Sequence, residues 1–411
     1  MKTKAVFFSF FIIFTCYIKA QNLSESPLSA VFETSDTGLF WKQFEKIGTT
    51  KDNPFKEYIE KGSLGVQGFV PYRIINADSL LATVNARKTD YLNSKNVLKD
   101  INSKEKKIRA SYSALKYWYP RAVYPPVYFV YGRFTSGGTV SNDGIIIGTE
   151  TLKNLDGIPG LVSHELIHFQ QHTEGEQTLL KQCLHEGGAD FIGEFVSGES
   201  INSDYYRYGE RNRDNLFKEF VAKLKESDYQ DWLYGTSKKD DRPNDLGYWI
   251  GYKICEAYFN KQPDKHKAID DIINIKDPFQ FLKESGLLDS YINDFMKSNN
   301  QKSEDFYKLF SDESYKVTFI VKALNKEDEI YITGNQPELG NWEPSKVKMN
   351  RKSALEREIT LTLRYPVQLK FTKGNWDSEG AVLGTEKGNN IKIPTLKPNQ
   401  KIKFQITEWR K

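Results

Sequence analysis

The strongest chemical signal in this 411-residue sequence is His164-Glu165-Leu166-Ile167-His168. On a helix, positions i and i+4 lie on one face, so both imidazoles can reach one ion. Glu165 projects at an adjacent angle and can sit beside the metal's open position. A zinc ion held there lowers the pKa of its bound water towards about 7. Glu165 is then the expected base, taking the proton as water attacks a carbonyl and passing it to the leaving amine.

A catalytic zinc needs a third protein ligand and one open position. The extended pattern H-E-x-x-H-x-x-G-x-x-H fails, because Gln171 and Glu174 stand at its Gly and last His positions. Glu186 lies eighteen residues after His168, within Leu184-His-Glu-Gly-Gly-Ala-Asp190, and can ligate from a second helix packed on the first. Asp190, one turn further, can accept the outer N–H of a ligating His and set its tautomer. Two rivals are His172 and His185. His172 would share a face with His168, but about 12 Å of helix rise separates it from His164. His185 could replace Glu186 if the second helix were rotated. Tyr248 and Tyr252 are expected either to donate to a transition-state oxyanion or to pack in the core. Cys183 and Cys255 are too few for a thiolate zinc site, so any metal must use His and carboxylates. Whether the two pair is left open.

The elements that must position these residues are legible as patterns. Residues 21 to about 120 read as mostly helical, with apolar spacing at 37–44 and from Ile101 through Tyr119, stopping at Pro120. Asp100 is the expected N-cap of that second helix. Residues 127–131 and 144–148 read as strands, with a turn at Ser136-Gly-Gly138. Helical periodicity returns near Gly157 and dominates to about Phe310. Beyond Tyr315 come six short alternating runs, at 317–321, 330–333, 359–363, 367–371, 391–393 and 402–406. They indicate a β-sandwich of six or seven strands. The expected organisation is therefore α+β, with a signal peptide at 1–20, a helical domain at 21–310 and an all-β domain at 315–411.

The signal peptide is read from Lys2 and Lys4, the apolar run from Val6 to Tyr17, and small Ala20 before Gln21. The protein is thus expected to be secreted or periplasmic, with no membrane span and with a lipid anchor on Cys16 disfavoured by bulky neighbours. Loss of Lys2, Lys4 and Lys19 lowers the formal charge from +4 to +1. That balance argues against a general nucleic-acid binder, which needs a strongly basic face.

The H-E-x-x-H motif, the later helix with Glu186 and the Asp190 four residues beyond resemble the gluzincin metallopeptidases over residues 160–195. With Asp245-Leu-Gly-Tyr-Trp-Ile-Gly-Tyr252, the wider stretch resembles bacterial predicted zinc-dependent proteases. The resemblance implies a zincin-like fold, a Zn2+ cofactor, a peptide or protein substrate, His164, His168 and Glu186 as ligands, and Glu165 as base. It also implies that Gly144–Gly148 is the edge strand above the active-site helix, where a peptide could add as a strand. In the C-terminal region, Gly334-Asn-Gln-Pro-Glu-Leu-Gly-Asn-Trp342 and Lys370-Phe-Thr-Lys-Gly-Asn-Trp376 resemble family 20 starch-binding modules, with an immunoglobulin-like sandwich. That resemblance implies Trp342 and Trp376 as a platform for sugar rings, with Lys370 beside them and an α-glucan or other polysaccharide as partner. A catalytically silent surface-binding protein and an amide hydrolase on glycan-linked material are the alternatives.

Overall fold

The computed structural model describes residues 23–171, 178–235, 242–303, 306–307, 314–365, 367–386, 388–393 and 396–410. The signal-peptide segment and His172 lie outside the described residues. Of the described residues, one compact unit takes those up to 171 with 182–207 and 231–274. The other takes 178–181, 208–230 and 275–410. Among the described residues, no helix is long and apolar enough to cross a membrane.

The first unit is built on a four-stranded sheet of order β1-β2-β4-β3. The strands are β1 (Phe32–Glu33), β2 (Val127–Val130), β3 (Gly138–Ser141) and β4 (Gly144–Gly148). β1, β2 and β4 run parallel, and β3 returns antiparallel to β4. The expected edge strand is corrected here. β4 lies inside the sheet, between β2 and β3, and its Gly-Ile-Ile-Ile-Gly run is buried throughout. A continuous apolar run suits a strand covered on both faces. The edge is β3, whose half-buried Gly-Thr-Val-Ser carries too little apolar pattern to read as a strand. Gly138, the last residue of the expected turn, is the first residue of this strand.

Strand pleating divides the sheet between two layers. Tyr128, Val130 and Ile146 join a cluster with Phe40, Phe55, Tyr58 and Phe69 of the N-terminal helices. Gly138 pairs with Ile147 and faces the other way, towards Glu165 on helix Ile158–Gln170. That helix opens with Pro159 in its first turn, where the missing N–H costs no intrahelical bond. It ends where Gln171 turns extended. Helix Ile101–Trp118 forms as its spacing indicates and ends before Pro120. Asp100 occupies its N-cap position, but its side chain makes no capping hydrogen bond.

The second unit contains helices Arg213–Lys223, Pro278–Ser285 and Asp289–Ser298 and a two-sheet sandwich. One sheet has order β12-β10-β6-β7 and the other β11-β13-β5-β9-β8. The strands are β5 (Ser314–Lys322), β6 (Tyr331–Gly334), β7 (Val347–Lys348), β8 (Asn350–Arg351), β9 (Glu356–Arg364), β10 (Val367–Thr372), β11 (Gly380–Val382), β12 (Ile391–Ile393) and β13 (Gln400–Trp409). All six expected strands are present. Val317, Phe319 and Val321 of β5 and Ile406 of β13 share one core with Ile332 of β6 and Leu369 and Phe371 of β10. The alternating apolar residues of both sheets therefore point inward, as a sandwich requires.

Candidate metal centre

Three helices bring the site together. Helix Ile158–Gln170 carries His164, Glu165 and His168, and helix Leu179–Ser197 carries Glu186 and Asp190. The third, Leu246–Lys261, packs against the second at near-backbone contact. A Cβ on Gly251 would lie 1.6 Å from the Cys183 carbonyl oxygen, and one on Gly187 would lie 2.1 Å from the Tyr252 nitrogen. Glycine at both positions is what permits this approach.

The two imidazoles and the Glu186 carboxylate converge as expected. His164 Nε2 and His168 Nε2 are 2.9 Å apart. Glu186 Oε2 is 3.1 Å from the second and 3.7 Å from the first. These three ligand atoms lie within 4.8 Å of one another.

The outer partners fix the tautomers. Asp190 Oδ1 is 2.7 Å from His164 Nδ1, and a carboxylate can only accept, so Nδ1 carries the proton. Asp190 Oδ2 is itself held by Asn202 Nδ2 at 2.6 Å and the Tyr206 hydroxyl at 2.8 Å. His168 Nδ1 is 2.8 Å from Gln171 Oε1. Gln171 Nε2 donates to the His185 carbonyl at 3.0 Å, which fixes the amide's orientation. His168 therefore also carries its proton on Nδ1. Both Nε2 lone pairs then face each other and an anionic oxygen. Three acceptors converging without a donor is an arrangement that a cation completes, and the N,N,O set is one that zinc takes. The donor set fits the metal.

The anionic surroundings favour added positive charge at this point. Burial opposes protonation of His164 and His168, yet Asp190 for the first and Glu186 for the second outweigh it and push both rings up. Burial would raise Glu186, but the two imidazoles hold it well below the usual carboxylate range. Glu165 is buried and pushed up by desolvation, with the histidines opposing. Its carboxyl lies beneath the edge strand, because a Cβ on Gly138 would fall 2.4 Å from Glu165 Oε1. An open groove of about 770 Å³ adjoins His168, lined by Val140, Ser141 and Asn142 at the end of β3 and by Arg121 and Gln171.

The remaining candidates fall as follows. Tyr248 stacks on His164 with ring centroids 6.1 Å apart, and burial pushes its phenol pKa well up. Tyr252 packs edge-on against Phe191 and Tyr206. His185 lies against the His168 ring but is not in the ligand cluster. Cys183 and Cys255 are both buried and free, so no disulfide joins their helices. In the sandwich, Trp376 is 39% exposed and Trp342 is half-buried. Lys370 is tied to Glu379 Oε1 at 2.7 Å and to the Gly388 carbonyl at 2.9 Å.

Sequence reasoning missed Gln171, Asn202, Tyr206 and Tyr234 around the ligands. Gln171 alone left a local signal, one turn beyond His168. The others arrive from segments with no motif. The Tyr234 hydroxyl lies 3.1 Å from Glu186 Oε1 and 3.1 Å from Gln182 Oε1.

No curated protein matches the chain. Two family models do. Residues 131–276, which hold the whole ligand cluster, match the family described as Predicted Zn-dependent protease (DUF2268), and residues 314–405, which form nearly all of the sandwich, match the Starch binding domain family.

Proposed function

We propose that the protein is a zinc-dependent peptidase that also binds polysaccharide through its C-terminal sandwich. The observation that carries the first part is the convergence of His164 Nε2, His168 Nε2 and Glu186 Oε2, three acceptors facing one point, with buried Glu165 on the same helix. A zinc ion bound there supplies Lewis acidity and makes water a nucleophile at neutral pH. Glu165 takes the proton of the attacking water on its carboxylate and returns it to the leaving nitrogen. Asp190 and Gln171 hold the two imidazoles in the ligating tautomer.

The edge strand supports a placement for a peptide substrate. Among the described residues β3 has one neighbour, β4, so its outer N–H and C=O groups face outward. An extended peptide can add there as a further strand. Gly138 brings that edge against Glu165, so the scissile bond would lie over the base.

The match to starch-binding modules and the exposed Trp376 support an α-glucan as the sandwich's ligand, since a flat indole stacks on the apolar face of a sugar ring. The pattern of residues 1–20 supports export.

The deciding experiment measures zinc content and peptide cleavage for residues 21–411 and for a Glu165→Gln variant. One zinc per chain in both, with cleavage by the parent alone, is the expected result. Zinc in both without cleavage would favour a silent binding protein. No stoichiometric zinc in either would overturn the reading.

A further inference from the structure

The two oxygens of Glu186 have different surroundings. Oε2 faces the imidazoles, 3.1 Å from His168 Nε2. Oε1 faces a phenol, 3.1 Å from the Tyr234 hydroxyl. That hydroxyl has one proton and two acceptors at equal distance, Glu186 Oε1 and Gln182 Oε1. A carboxylate makes the stronger bond, so the proton goes to Glu186.

Tyr234 is held against its own backbone preference, in a loop whose Asp231 and Gly235 tolerate the same conformation. Asp231, Tyr234 and Gly235 have φ of 69°, 64° and 65°. An aromatic residue in the left-handed region is strained and persists only where its surroundings over-determine it. Those surroundings are visible. Trp232 and Leu233 are fully buried. The Trp232 carbonyl accepts the Gly247 N–H at 2.8 Å. The Asp245 carboxylate accepts the Gly235 N–H at 2.9 Å and also bonds the Tyr234 backbone. Tyr234 itself is 52% exposed, so its placement comes from the loop rather than from burial of its ring.

We infer that Tyr234 is a positioning residue that caps Oε1 of Glu186 and leaves Oε2 as the oxygen offered to the metal. This rests on reading the cluster as a metal centre. A carboxylate with one oxygen occupied presents a single donor, and its rotation about the terminal bond is arrested. The cap adds no charge, and the open position is not consumed. Asp190 and Gln171 fix the histidines in the same way, from outside the ligand set. Each of the three ligands thus has a polar partner outside the ligand set, as metal sites commonly require.

The test uses the full chain, stripped of metal and titrated with zinc against a fluorescent chelator. Tyr234→Phe keeps the ring and removes the hydroxyl. It is expected to bind zinc roughly 10- to 100-fold more weakly than the parent, with the thermal midpoint of the metal-free protein unchanged. Gln182→Ala removes the competing acceptor and is expected to leave zinc affinity at or above the parental value. Equal affinity in Tyr234→Phe and parent would overturn the assignment. So would equal weakening in Gln182→Ala, or a loss of metal-free stability that accounts for the weaker binding. Failure of the parent itself to take up zinc would overturn the metal-centre reading and this inference with it.

Discussion

Replacing Gly138 with alanine tests whether the edge strand and the proposed base are fitted to each other. The new Cβ would lie 2.4 Å from Glu165 Oε1, 2.7 Å from Cγ and 2.8 Å from Cδ. Ordinary contact begins near 3.4 Å, so the carboxylate must retreat by about 1 Å, a displacement that costs roughly a hundredfold in rate when it misplaces a reacting group. That corresponds to about 2.7 kcal/mol of transition-state stabilisation. Folding should tolerate the change. Gly138 does not occupy the left-handed region, and alanine in a strand loses less entropy than glycine. The collision is with the end of one side chain, which can swing. The expected outcome is kcat/KM reduced roughly a hundredfold on a peptide substrate, with zinc stoichiometry and thermal midpoint close to parental. The reasoning would be refuted by a zinc-loaded variant that keeps activity within about threefold of the parent, since a 1 Å shift of the base cannot be that mild. Loss of zinc alongside activity would also refute it, because the collision spares all three ligands.

Three further outcomes follow. Gly251→Ala puts a Cβ 1.6 Å from the Cys183 carbonyl oxygen, so helices Leu179–Ser197 and Leu246–Lys261 must separate. A loss of about 3 kcal/mol is expected in denaturant titrations, with weaker zinc binding as Glu186 shifts, whereas an unchanged midpoint would contradict the close packing. Glu150 is buried and accepts the N–H groups of Gly132 at 2.9 Å and Phe134 at 3.0 Å. Burial raises it to about 7 from an ordinary 4.5, against those hydrogen bonds and the Arg87 charge. The folded state therefore binds more protons than the unfolded state between these values. Stability contributed by Glu150 is present below about pH 4.5 and lost as pH rises through about 7, by an amount on the order of 3 kcal/mol. Relative to Glu150→Gln, the parent should lose stability between pH 5 and pH 8, and a difference independent of pH would contradict the assignment. Trp376→Ala should weaken binding to soluble amylose in affinity electrophoresis by about tenfold, at unchanged peptide hydrolysis. Unchanged mobility would exclude this indole from the sugar face.

Local periodicity explains what could be read directly. The i, i+4 spacing of His164 and His168 places both on one helical face whatever the rest of the chain does, and Glu186 and Asp190 repeat the relation. The helix from Ile101 and the six alternating runs beyond Tyr315 were legible for the same reason: a period of 3.6 or 2 is visible in a short window. The starch-binding-like segment carried its Gly and Trp spacing in nine residues.

The remaining features depend on contacts between distant segments, which no short window contains. β4 is richer in isoleucine than β3, so it draws attention first. That richness marks burial on both faces, and it places β4 inside the sheet rather than at the edge. Tyr248 and Tyr252 lie within the recognisable 245–252 stretch and Tyr234 does not, yet it is Tyr234 that reaches Glu186, from a left-handed backbone conformation that an aromatic residue disfavours. Gly138 has no signature because its role is the absence of a side chain where Glu165 must fit. The sequence by itself determined which side chains share a helical face and where six of the sandwich's nine described strands run, because these follow from residue type and local period; the short β7, β8 and β11 show no period in so few residues. Tertiary structure alone decided which edge faces the base, which oxygen of Glu186 faces the histidines and which phenol holds the other, because each is set by backbones brought together from far apart in the chain.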